Sequence, residues 1–376
     1  MGTKRIKVLE AIRQGKIGGG ETHVLELVSK MDKTVFEPVV LSFTEGPMVQ
    51  QLQSLGIEVH VIETEKGFDR SVWKRVRDFI RENEFDIVHA HGTRANSNVF
   101  AAARRLKLPL IYTVHGWSFH QDQPLFVKKM RELSERFLTS VSTSTICVSN
   151  SNQNDGIRGW NMKRSVVIYN GINTEKFNPA LEYKPVRKEF GITDDKTLIG
   201  FIVRMTIQKD PVNLIRAMKI VMQKTKDVVL LMVGDGDLKQ EVVQLVNEMN
   251  LSSNIIFEDF RQDVPDVLNA IDIYCLPSLW EGLPIGVLEA MSMSKVVIAT
   301  PVDGTKEIIT DMENGIFVPV RDEQKLAEAI LMVHYDKPLQ KRVSENAVRT
   351  IHQKFSIEEM VKKIENHYIS IMNLKR

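Results

Sequence analysis

The sequence contains few of the features that mark specialised classes of protein. Only two cysteines occur among its 376 residues. Each of them, Cys147 and Cys275, lies in an apolar, strand-like run, so we expect two buried free thiols and a reducing compartment rather than a disulfide. No apolar run approaches the roughly 20 residues that span a bilayer. Residues 1–12 lack the apolar core and small-residue cleavage site of a signal peptide. We therefore expect a cytoplasmic protein.

An excess of one charge is also missing. The 50 basic and 48 acidic side chains give a formal net charge of +2, and hydrophobic residues make up 43% of the chain. This composition is ordinary for a soluble globular enzyme and gives no reason to expect a nucleic-acid partner. There is no internal repeat or low-complexity tract. The length exceeds what one hydrophobic core normally serves, which favours two domains.

Short β-branched or apolar runs alternate with amphipathic stretches through both halves of the chain. One such stretch, residues 70–81, has a core stripe through Val72, Val76 and Ile80, which predicts a helix. The alternation predicts two doubly wound, Rossmann-like α/β domains with parallel sheets, facing each other across a cleft. The predicted strands are residues 6–12, 38–43, 57–62, 86–90, 108–114, 145–149, 165–170, 197–203, 228–233, 255–259, 272–277 and 295–300.

The boundary between the domains is expected where residues 171–190 lose strand periodicity and carry two prolines. We place the domains at residues 1–178 and 179–355. A capping box, Ser356 with Glu359, then predicts a separate last helix within residues 356–376. Its apolar positions are Met360, Ile364, Tyr368 and Ile371.

The stretch WEGLPIGVLEAM, residues 280–291, places two carboxylates around a predicted helix start. Pro284 suits the first helical position, because its missing N–H would have no partner there. Gly282 lets the turn approach a ligand closely. The free N–H groups of Ile285, Gly286 and Val287, with the helix dipole, then predict a phosphate-binding site.

The two acids fit the ends of a sugar nucleotide. Glu289 lies roughly 7–8 Å along the helix from Pro284 at 1.5 Å per residue, about the reach from a diphosphate to its ribose. Glu281, before the turn, could accept hydroxyl hydrogen bonds from a sugar beyond the phosphates. In the alternative interpretation, Glu281 is a solvated loop residue and Glu289 a partly buried acid paired with a core cation.

The loop after the first strand of each half carries residues that could bind phosphate: glycines in the first half and cations in the second. Arg204 directly follows an apolar strand and Lys209 comes five residues later; both could bind a diphosphate, although exposed loop cations are the commoner outcome. Three glycines, residues 18–20, allow main chain to approach phosphate. They do not complete the dinucleotide fingerprint, since the following ribose-binding acid is missing.

Histidines mark two strand ends in the first half. His115 closes one strand beside Gly116 and is expected to project into the cleft. His89 and His91 alternate at another strand end, but no carboxylate or cysteine completes a metal site at a familiar spacing. We therefore predict no metal ion. His23, His60 and His120 are expected to be structural or exposed.

The segment PSLWEGLPIGVLEAM, residues 277–291, resembles the E-x7-E signature of retaining GT-B glycosyltransferases of family 4, glycosyltransferase group 1. The resemblance runs the whole length of the chain, with the family's motifs in order. These motifs are GGGETH (18–23), DIVHAHGTRAN (86–96), YTVHG (112–116), ICVSN (146–150), VVIYNGIN (166–173), the R-x4-K pair, VGDGD (233–237) and NAIDIYCLPS (269–278).

The resemblance implies roles for matched residues. Glu289 would hold the donor ribose and Glu281 the transferred sugar, while Arg204 and Lys209 would neutralise the diphosphate leaving group. His115 would lie near the reacting sugar, by its ring or its backbone carbonyl. Gly19 and Gly20 would bring main chain to the phosphates from the first domain, which would bind the acceptor. The implied donor site also includes Gly234, Phe260, Arg261, Gln262, Gly282, Leu283, Pro284, Ile285 and Gly286, with 260–262 at the base.

Three positions depart from the family pattern and bear on the phosphate geometry. Asp210 follows Lys209 where many relatives have glycine, Val203 replaces the usual glycine before Arg204, and Asp237 replaces a proline. Arg204, Lys209, Glu281 and Glu289 are all kept.

The expected reaction needs no cofactor and no divalent metal. A UDP- or GDP-sugar would give its hexose or N-acetylhexosamine, with retention, to a glycan or glycolipid acceptor in bacterial surface-polysaccharide synthesis, such as lipopolysaccharide or capsule. The alternatives are a sugar-nucleotide 2-epimerase, a non-catalytic GT-B partner subunit and, from the glycine loop, a nicotinamide dehydrogenase. Cations of the first domain, such as Arg70, Lys74 and Lys129, would allow peripheral contact with the inner face of a membrane. The alternative is a solvated helix face.

Overall fold

The computed structural model describes residues 4–16, 18–120 and 123–374. It contains two compact units. Unit 1 runs from the N-terminal part through Gly171 and includes the last segment from Ile357, and unit 2 is Ile172–Ser356. The sequence places the boundary after residue 178. The chain changes units earlier because Ile172 already pairs with the end of unit 2, where its N–H donates to the Phe355 carbonyl at 2.8 Å.

Unit 1 is a seven-stranded parallel sheet with the order β3-β2-β1-β4-β5-β6-β7. The chain first winds from β1 toward one edge and then returns to the centre to build the other half. The carboxyl ends of β1 and β4 therefore form the point where the winding direction reverses. The strands are β1 (Ile6–Ile12), β2 (Phe36–Ser42), β3 (Glu58–Val61), β4 (Ile87–His91), β5 (Leu110–Val114), β6 (Ser144–Cys147) and β7 (Ser165–Val167).

Helices cover both faces of this sheet. They bury apolar side chains on each side, so the inner strands are almost fully buried, as expected for a parallel sheet, while the edge strands β3 and β7 are partly exposed. The helices are α1 (Gly19–Lys30), α2 (Pro47–Ser54), α3 (Arg70–Glu82), α4 (Thr93–Arg105), α5 (Leu125–Val141), α6 (Asn150–Trp160) and, from the end of the chain, α15 (Ile357–Leu374).

Unit 2 repeats the architecture with six parallel strands in the order β10-β9-β8-β11-β12-β13. Its reversal point lies between β8 and β11. The strands are β8 (Thr197–Ile202), β9 (Val228–Val233), β10 (Ile255–Glu258), β11 (Ile273–Leu276), β12 (Val296–Ala299) and β13 (Ile316–Phe317). The helices are α7 (Val186–Glu189), α8 (Pro211–Lys224), α9 (Lys239–Glu248), α10 (Val264–Ala270), α11 (Ile285–Ser292), α12 (Thr305–Ile308), α13 (Glu323–Tyr335) and α14 (Lys337–Lys354).

The predicted fold class is confirmed: both units are doubly wound parallel α/β sheets. Every predicted strand overlaps an observed one, and only the two-residue β13 was not predicted, because it is too short to show a pattern. The helix predicted over 70–81 is α3, capped by the Asp69 side chain. The predicted last helix is α15, which buries Met360, Ile364, Tyr368 and Ile371.

Both cysteines are buried free thiols, as predicted. In the described part of the chain, no helix is long and apolar enough to cross a membrane.

Candidate functional site

The reversal point of unit 2 brings the predicted acid and the predicted cation into direct contact. Lys209 ends a 3-10 turn (Ile207–Lys209) after β8, and Glu281 follows β11. Because these strands are neighbours, the Lys209 ammonium lies 2.5 Å from Glu281 Oε1. The Ser278 hydroxyl donates to the same oxygen at 2.6 Å. Sequence reasoning proposed both residues as ligand groups but did not predict that they pair with each other.

Surrounding loops hold the Glu281 backbone in place. The Glu281 N–H donates to Asp303 Oδ2 at 2.8 Å, and the Gln208 amide donates to the Trp280 carbonyl at 2.9 Å. Glu281 is only 7% exposed. A carboxylate so well enclosed by donors is built into the site, which contradicts the alternative of a solvated loop residue.

Arg204 differs from Lys209 in that it is exposed. Among the described residues it forms no ion pair. Its loop is fixed from the neighbouring β9–α9 connection, since the Met205 N–H donates to the Asp235 carbonyl at 2.9 Å. Gly234 makes this approach possible: its φ is +134°, and a Cβ there would lie 2.5 Å from the Val203 carbonyl oxygen. Gly234 thus positions the loop that carries Arg204. Because the Arg204 guanidinium is exposed, it is available for an anion.

The departure at Asp210 has a structural consequence. Asp210 has a φ of +47°, a left-handed conformation that glycine adopts without penalty and that aspartate tolerates better than most residues. Its side chain accepts a hydrogen bond from the Asn213 N–H at 3.4 Å and so caps α8. Asp210 therefore adopts the left-handed conformation and caps α8 at the same time.

Two details of the predicted anion site at α11 are wrong. Pro284 is extended (φ −73°, ψ 109°) and is the N-cap, so the helix begins at Ile285. The Val287 N–H donates to the Pro284 carbonyl at 3.1 Å, because Pro284 already supplies the first helical acceptor. Among the described residues, only the N–H groups of Ile285 and Gly286 in this first turn lack an acceptor.

Tyr274 on β11 lies near enough to both acids of the signature to be affected by their charges. Burial, followed by the charges of Glu289 and Glu281, raises its pKa well above the usual range. Its buried hydroxyl has no partner among the described residues. A Cβ on Gly286 would collide with that hydroxyl. Gly286 is therefore required for packing on Tyr274, whereas the sequence suggested only its N–H group as a contribution to the site.

The predicted base-binding loop, Phe260–Gln262, connects β10 to α10. Phe260 is 54% exposed. The Arg261 guanidinium is engaged by Glu189 at 2.7 Å and Asp263 at 2.7 Å, and these hydrogen bonds raise its pKa. The Arg261 side chain therefore stabilises the loop, which leaves the main chain for ligand contacts.

The reversal point of unit 1 contains a buried carboxylate surrounded by donors. Glu10 on β1 is fully buried. It accepts hydrogen bonds from the Tyr368 hydroxyl on α15 at 2.7 Å and from His91 Nε2 at 2.8 Å, and His89 Nδ1 lies 3.0 Å away. Burial alone would raise the Glu10 pKa, but the charge of His89 and the hydrogen bonds from His89 and His91 outweigh it and lower the pKa.

These contacts assign the protons of the neighbouring histidines. His91 donates from Nε2 to Glu10, so its Nδ1 accepts from His115 Nε2 at 3.2 Å. His23 donates from Nδ1 to Asn170 Oδ1 at 2.9 Å. This leaves His115 Nδ1 and His23 Nε2 as buried acceptors without a partner among the described residues. Their rings lie 4.8 Å apart, so two unpaired acceptors occupy one small region.

Gly20, near the start of α1, packs directly on this cluster. A Cβ there would lie 3.3 Å from His115 Cδ2, so the predicted glycine turn and the predicted histidine are neighbours in unit 1. Sequence reasoning did not connect Glu10, His23 or Tyr368 with His115. Tyr368 was predicted only as an apolar helix position, and a single acid in a strand gives no signal of its own.

The same residues could hold a metal ion, which the sequence had argued against. His23, His91 and His115 each offer a nitrogen, and these atoms lie within 4.8 Å of one another; Glu10, His89 and His91 form a second such group. Three imidazoles with an outer carboxylate on one ring match the chemistry of zinc sites. The carboxylate missing from the local sequence pattern comes from β1, the neighbouring strand.

The remaining histidines differ. His60 is half-buried and lies 2.7 Å from Glu58, as expected for a residue without a role in the site. The His120 backbone N–H donates to Gln123 Oε1 at 3.2 Å.

Each half of the chain matches a model of a known protein family. A family model described as Glycosyltransferase Family 4 matches residues 17–176, and one described as Glycosyl transferases group 1 matches residues 183–350. The chain is similar to the UDP-Gal:alpha-D-GlcNAc-diphosphoundecaprenol alpha-1,3-galactosyltransferase of Escherichia coli, with 30% identity over 301 residues, 78% of this chain and 77% of that protein.

Two further proteins extend the comparison. The lipopolysaccharide core biosynthesis mannosyltransferase LpsB of Rhizobium meliloti is 26% identical over 215 residues, 55% of this chain and 61% of that protein. The crystal structure of HepE from Anabaena, in complex with UDP and glucose, superimposes with a TM-score of 0.85 at 22% identity and covers 97% of this chain and 100% of that one. The chain therefore belongs to the family 4, group 1 glycosyltransferases and has the GT-B fold.

Proposed function

We propose that this protein is a retaining glycosyltransferase that uses a UDP- or GDP-sugar. It transfers a hexose or N-acetylhexosamine to a glycan or lipid-linked glycan acceptor in the synthesis of a cell-surface polysaccharide. The E. coli relative is named for a UDP-galactose donor and a diphosphoundecaprenol-linked acceptor, and the Rhizobium relative for lipopolysaccharide synthesis. Both names support this class of donor and acceptor.

The observation that carries the proposal is the Lys209–Glu281 contact at the reversal point of unit 2. The same two loops carry the exposed Arg204, and the first turn of α11 follows Glu281. A sugar nucleotide needs cations for its diphosphate and carboxylates for its hydroxyl groups. In the proposed complex, Arg204, Lys209 and the α11 amides bind the diphosphate, Glu281 binds the transferred sugar and Glu289 the ribose.

The chemistry follows from the leaving group. The bond between the anomeric carbon and the diphosphate oxygen breaks, and the acceptor oxygen forms the new bond on the same face. Positive charge develops on the sugar and negative charge on the phosphate, and the cations of unit 2 stabilise the latter. The departing phosphate oxygen takes the proton of the acceptor hydroxyl, so the reaction requires neither a general base nor a divalent metal.

Unit 1 supplies hydrogen-bond acceptors in place of charge. His115 Nδ1 and His23 Nε2 are buried and unpaired among the described residues, and an unpaired buried acceptor is costly unless a ligand donates to it. We propose that they accept hydroxyl hydrogen bonds from a sugar, and that Gly19 and Gly20 present main-chain N–H groups to the donor phosphates. Glu10 and His91 would position the His115 ring through their hydrogen bonds.

The place of action follows from the acceptor. A lipid-linked acceptor is held in a membrane, while nucleotide sugars are made in the cytoplasm. We therefore propose that the protein works in the cytoplasm at the inner face of the membrane, with unit 1 in peripheral contact with lipid.

Transfer assays with UDP- and GDP-sugars test the proposal. The protein is first screened for thermal stabilisation by each nucleotide sugar, and the stabilising donors are then offered with soluble and lipid-linked glycan acceptors. We expect transfer from one donor, with a product of the same anomeric configuration by NMR. An inverted product would refute the retaining mechanism, and epimerised donor without transfer would support the 2-epimerase alternative.

Chelation tests the metal-independent step. We expect turnover after treatment with EDTA to match that of untreated protein, because the diphosphate charge is met by side chains and amides. A different result would assign a catalytic metal to the histidine cluster. EDTA would lower the turnover of the native protein, Zn²⁺ would restore it, and EDTA would not change the turnover of the His23→Gln variant.

A further inference from the structure

Helix α5 carries an apolar stripe on the side that faces solvent. The helix packs on unit 1 through Glu135, Leu138 and Thr139. Four large apolar side chains recur on its outer side at spacings of four, three and four residues. These are Phe126, Met130, Leu133 and Phe137, exposed by 76, 53, 57 and 39% respectively. We call these four residues the outer stripe.

The geometry of the helix shows that this exposure is not scattered. At 3.6 residues per turn the outer stripe occupies a band about 60° wide, and the buried Glu135 lies on the opposite side. Of the 18 exposed large hydrophobic residues in the described chain, six lie on α5, the other two being Leu125 and Val127. Single exposed apolar residues are normal, whereas a contiguous group marks an interaction surface.

The stripe continues beyond α5. The Phe68 ring, 38% exposed, lies 6.3 Å from the Phe137 ring and 6.0 Å from Phe100. Phe68 has a φ of +54°, a conformation that is unusual for a bulky residue and holds its ring at this position. The apolar surface therefore joins α5 to the loop before α3.

Cations lie along one side of the stripe. Lys129 and Arg136 are exposed on α5 and lie beside the outer stripe by helical spacing. Lys128 is half-buried and 4.0 Å from Glu132. The other acid of the helix, Glu135, is buried, so the exposed charge around the stripe is predominantly positive. An apolar stripe with a basic border complements the surface of an anionic bilayer, where headgroups meet the cations and acyl chains meet the apolar side chains.

We propose that α5 is a membrane-docking surface of unit 1, with the outer stripe entering the interface of an anionic phospholipid bilayer and Lys129 and Arg136 binding its headgroups. This inference rests on the proposed function in one respect: a lipid-linked acceptor is found at such a surface. The docking itself requires no nucleotide sugar, so it can be tested separately from catalysis.

Co-sedimentation with vesicles tests the surface. Native protein is mixed with vesicles of phosphatidylcholine alone and of phosphatidylcholine with 30% phosphatidylglycerol. We expect binding to the anionic vesicles, reduced at least tenfold for neutral vesicles or for native protein in 0.5 M salt, because the cations contribute and salt screens them. Equal binding to both lipids, or none to either, would overturn the proposal.

Matched variants locate the contact. Leu133→Gln combined with Phe126→Gln should lower binding to the anionic vesicles about tenfold or more, since both side chains lose apolar burial. The control is Leu55→Gln, because Leu55 is also 57% exposed in unit 1 but lies outside α5; its binding should equal that of the native protein. Equal loss in both variants would overturn the assignment to α5.

Charge variants and a soluble assay complete the test. Lys129→Glu with Arg136→Glu should weaken binding, while the control pair Arg158→Glu with Lys362→Glu on α6 and α15 should not. Transfer to a soluble acceptor should be the same in all α5 variants. If vesicle binding fails while soluble transfer persists, the docking surface is wrong and the proposed function stands; the reverse result would refute the function alone.

Discussion

The two units place different chemistry at the same position of the same fold. In unit 1 the reversal point holds buried imidazoles around one carboxylate, Glu10. In unit 2 it holds an exposed arginine and a lysine–glutamate pair, Arg204 with Lys209 and Glu281. Burial lowers the pKa of His23 to about 3 and, with the charge of His89, that of His91 to about 4, so these rings are uncharged near neutral pH.

The comparison teaches that fold position alone does not determine the ligand. Doubly wound sheets bind ligands at the reversal point of the strand order, and here each unit equips that point with its own side chains. The exposed Arg204 guanidinium and the paired Lys209 ammonium of unit 2 suit a diphosphate. The uncharged histidine nitrogens of unit 1, which accept hydrogen bonds, suit hydroxyl groups. The contrast supports binding of the nucleotide-sugar donor by unit 2 and binding of the glycan acceptor by unit 1.

The largest expected effect is in unit 2. Replacement of Arg204 by alanine removes the cation that has no acid partner among the described residues, so the developing phosphate charge loses its strongest free donor. We expect kcat/KM for the nucleotide sugar to fall roughly 10²–10³-fold, the range found when one transition-state donor is removed. The thermal midpoint should stay unchanged, because the side chain is exposed.

The control for this change is Arg342→Ala, which removes another exposed arginine of unit 2 on α14. Its kcat/KM should equal that of the native enzyme. Near-native turnover of Arg204→Ala would remove the basis for a diphosphate site in unit 2.

A smaller and more selective effect is expected for Glu281→Gln. The change removes the acid that pairs with Lys209, so the ammonium becomes available to phosphate while the sugar loses its charged acceptor. We expect affinity for the nucleoside diphosphate to stay the same or rise, and transfer to fall roughly tenfold or more, since hydrogen bonds to charged groups contribute about 1.5–3 kcal/mol. Isothermal titration and initial rates measure the two quantities.

Exposed Glu241 on α9 is the matched control, and Glu241→Gln should change neither quantity. If Glu281→Gln weakened diphosphate binding as strongly as it weakened transfer, the acid would serve the phosphate region and not the sugar.

The smallest expected effect is the pH dependence that unit 1 gives to stability. An ordinary histidine has a pKa near 6.5, so between that pH and about 4 the unfolded chain binds protons that buried His91 does not, and for His23 the window extends to about 3. The stabilisation that these two rings contribute should therefore be complete above pH 6.5. The free energy of unfolding should decrease as the pH falls through this window.

Urea unfolding at several pH values measures this dependence. His23→Gln should flatten it, while His60→Gln, at a half-buried position outside the cluster, should not. A free energy of unfolding that rises as the pH falls would show that the rings are charged in the folded protein.

Sequence reasoning predicted the fold well because strand and helix periodicity is local. It also placed Lys209 and Glu281 in the loops that turn out to meet, since both follow strands that the topology makes neighbours. It did not predict their ion pair, because pairing depends on distance in space and not on spacing in the chain. The cluster around Glu10 was missed for the same reason. Its members come from β1, α1, β4, the end of β5 and α15, and they are Glu10, His23, His91, His115 and Tyr368.

Local backbone details were also beyond the sequence. The extended conformation of Pro284 moved the start of α11 by one residue and removed the Val287 N–H from the predicted anion site. The need for glycine at position 286 came from the hydroxyl of Tyr274 on β11, the strand before α11. Such contacts follow from packing and have no signature in the chain itself.

The central claim is that unit 2 binds a nucleoside diphosphate through Arg204 and its neighbours, and isothermal titration tests it most directly. UDP and UMP, and GDP and GMP, are each titrated into the native protein and the Arg204→Ala variant. For one base, we expect the diphosphate to bind native protein at least tenfold more tightly than the monophosphate, and this ratio to shrink toward one in the variant. Equal affinity for diphosphate and monophosphate in the native protein, or a ratio that the variant keeps, would contradict the claim.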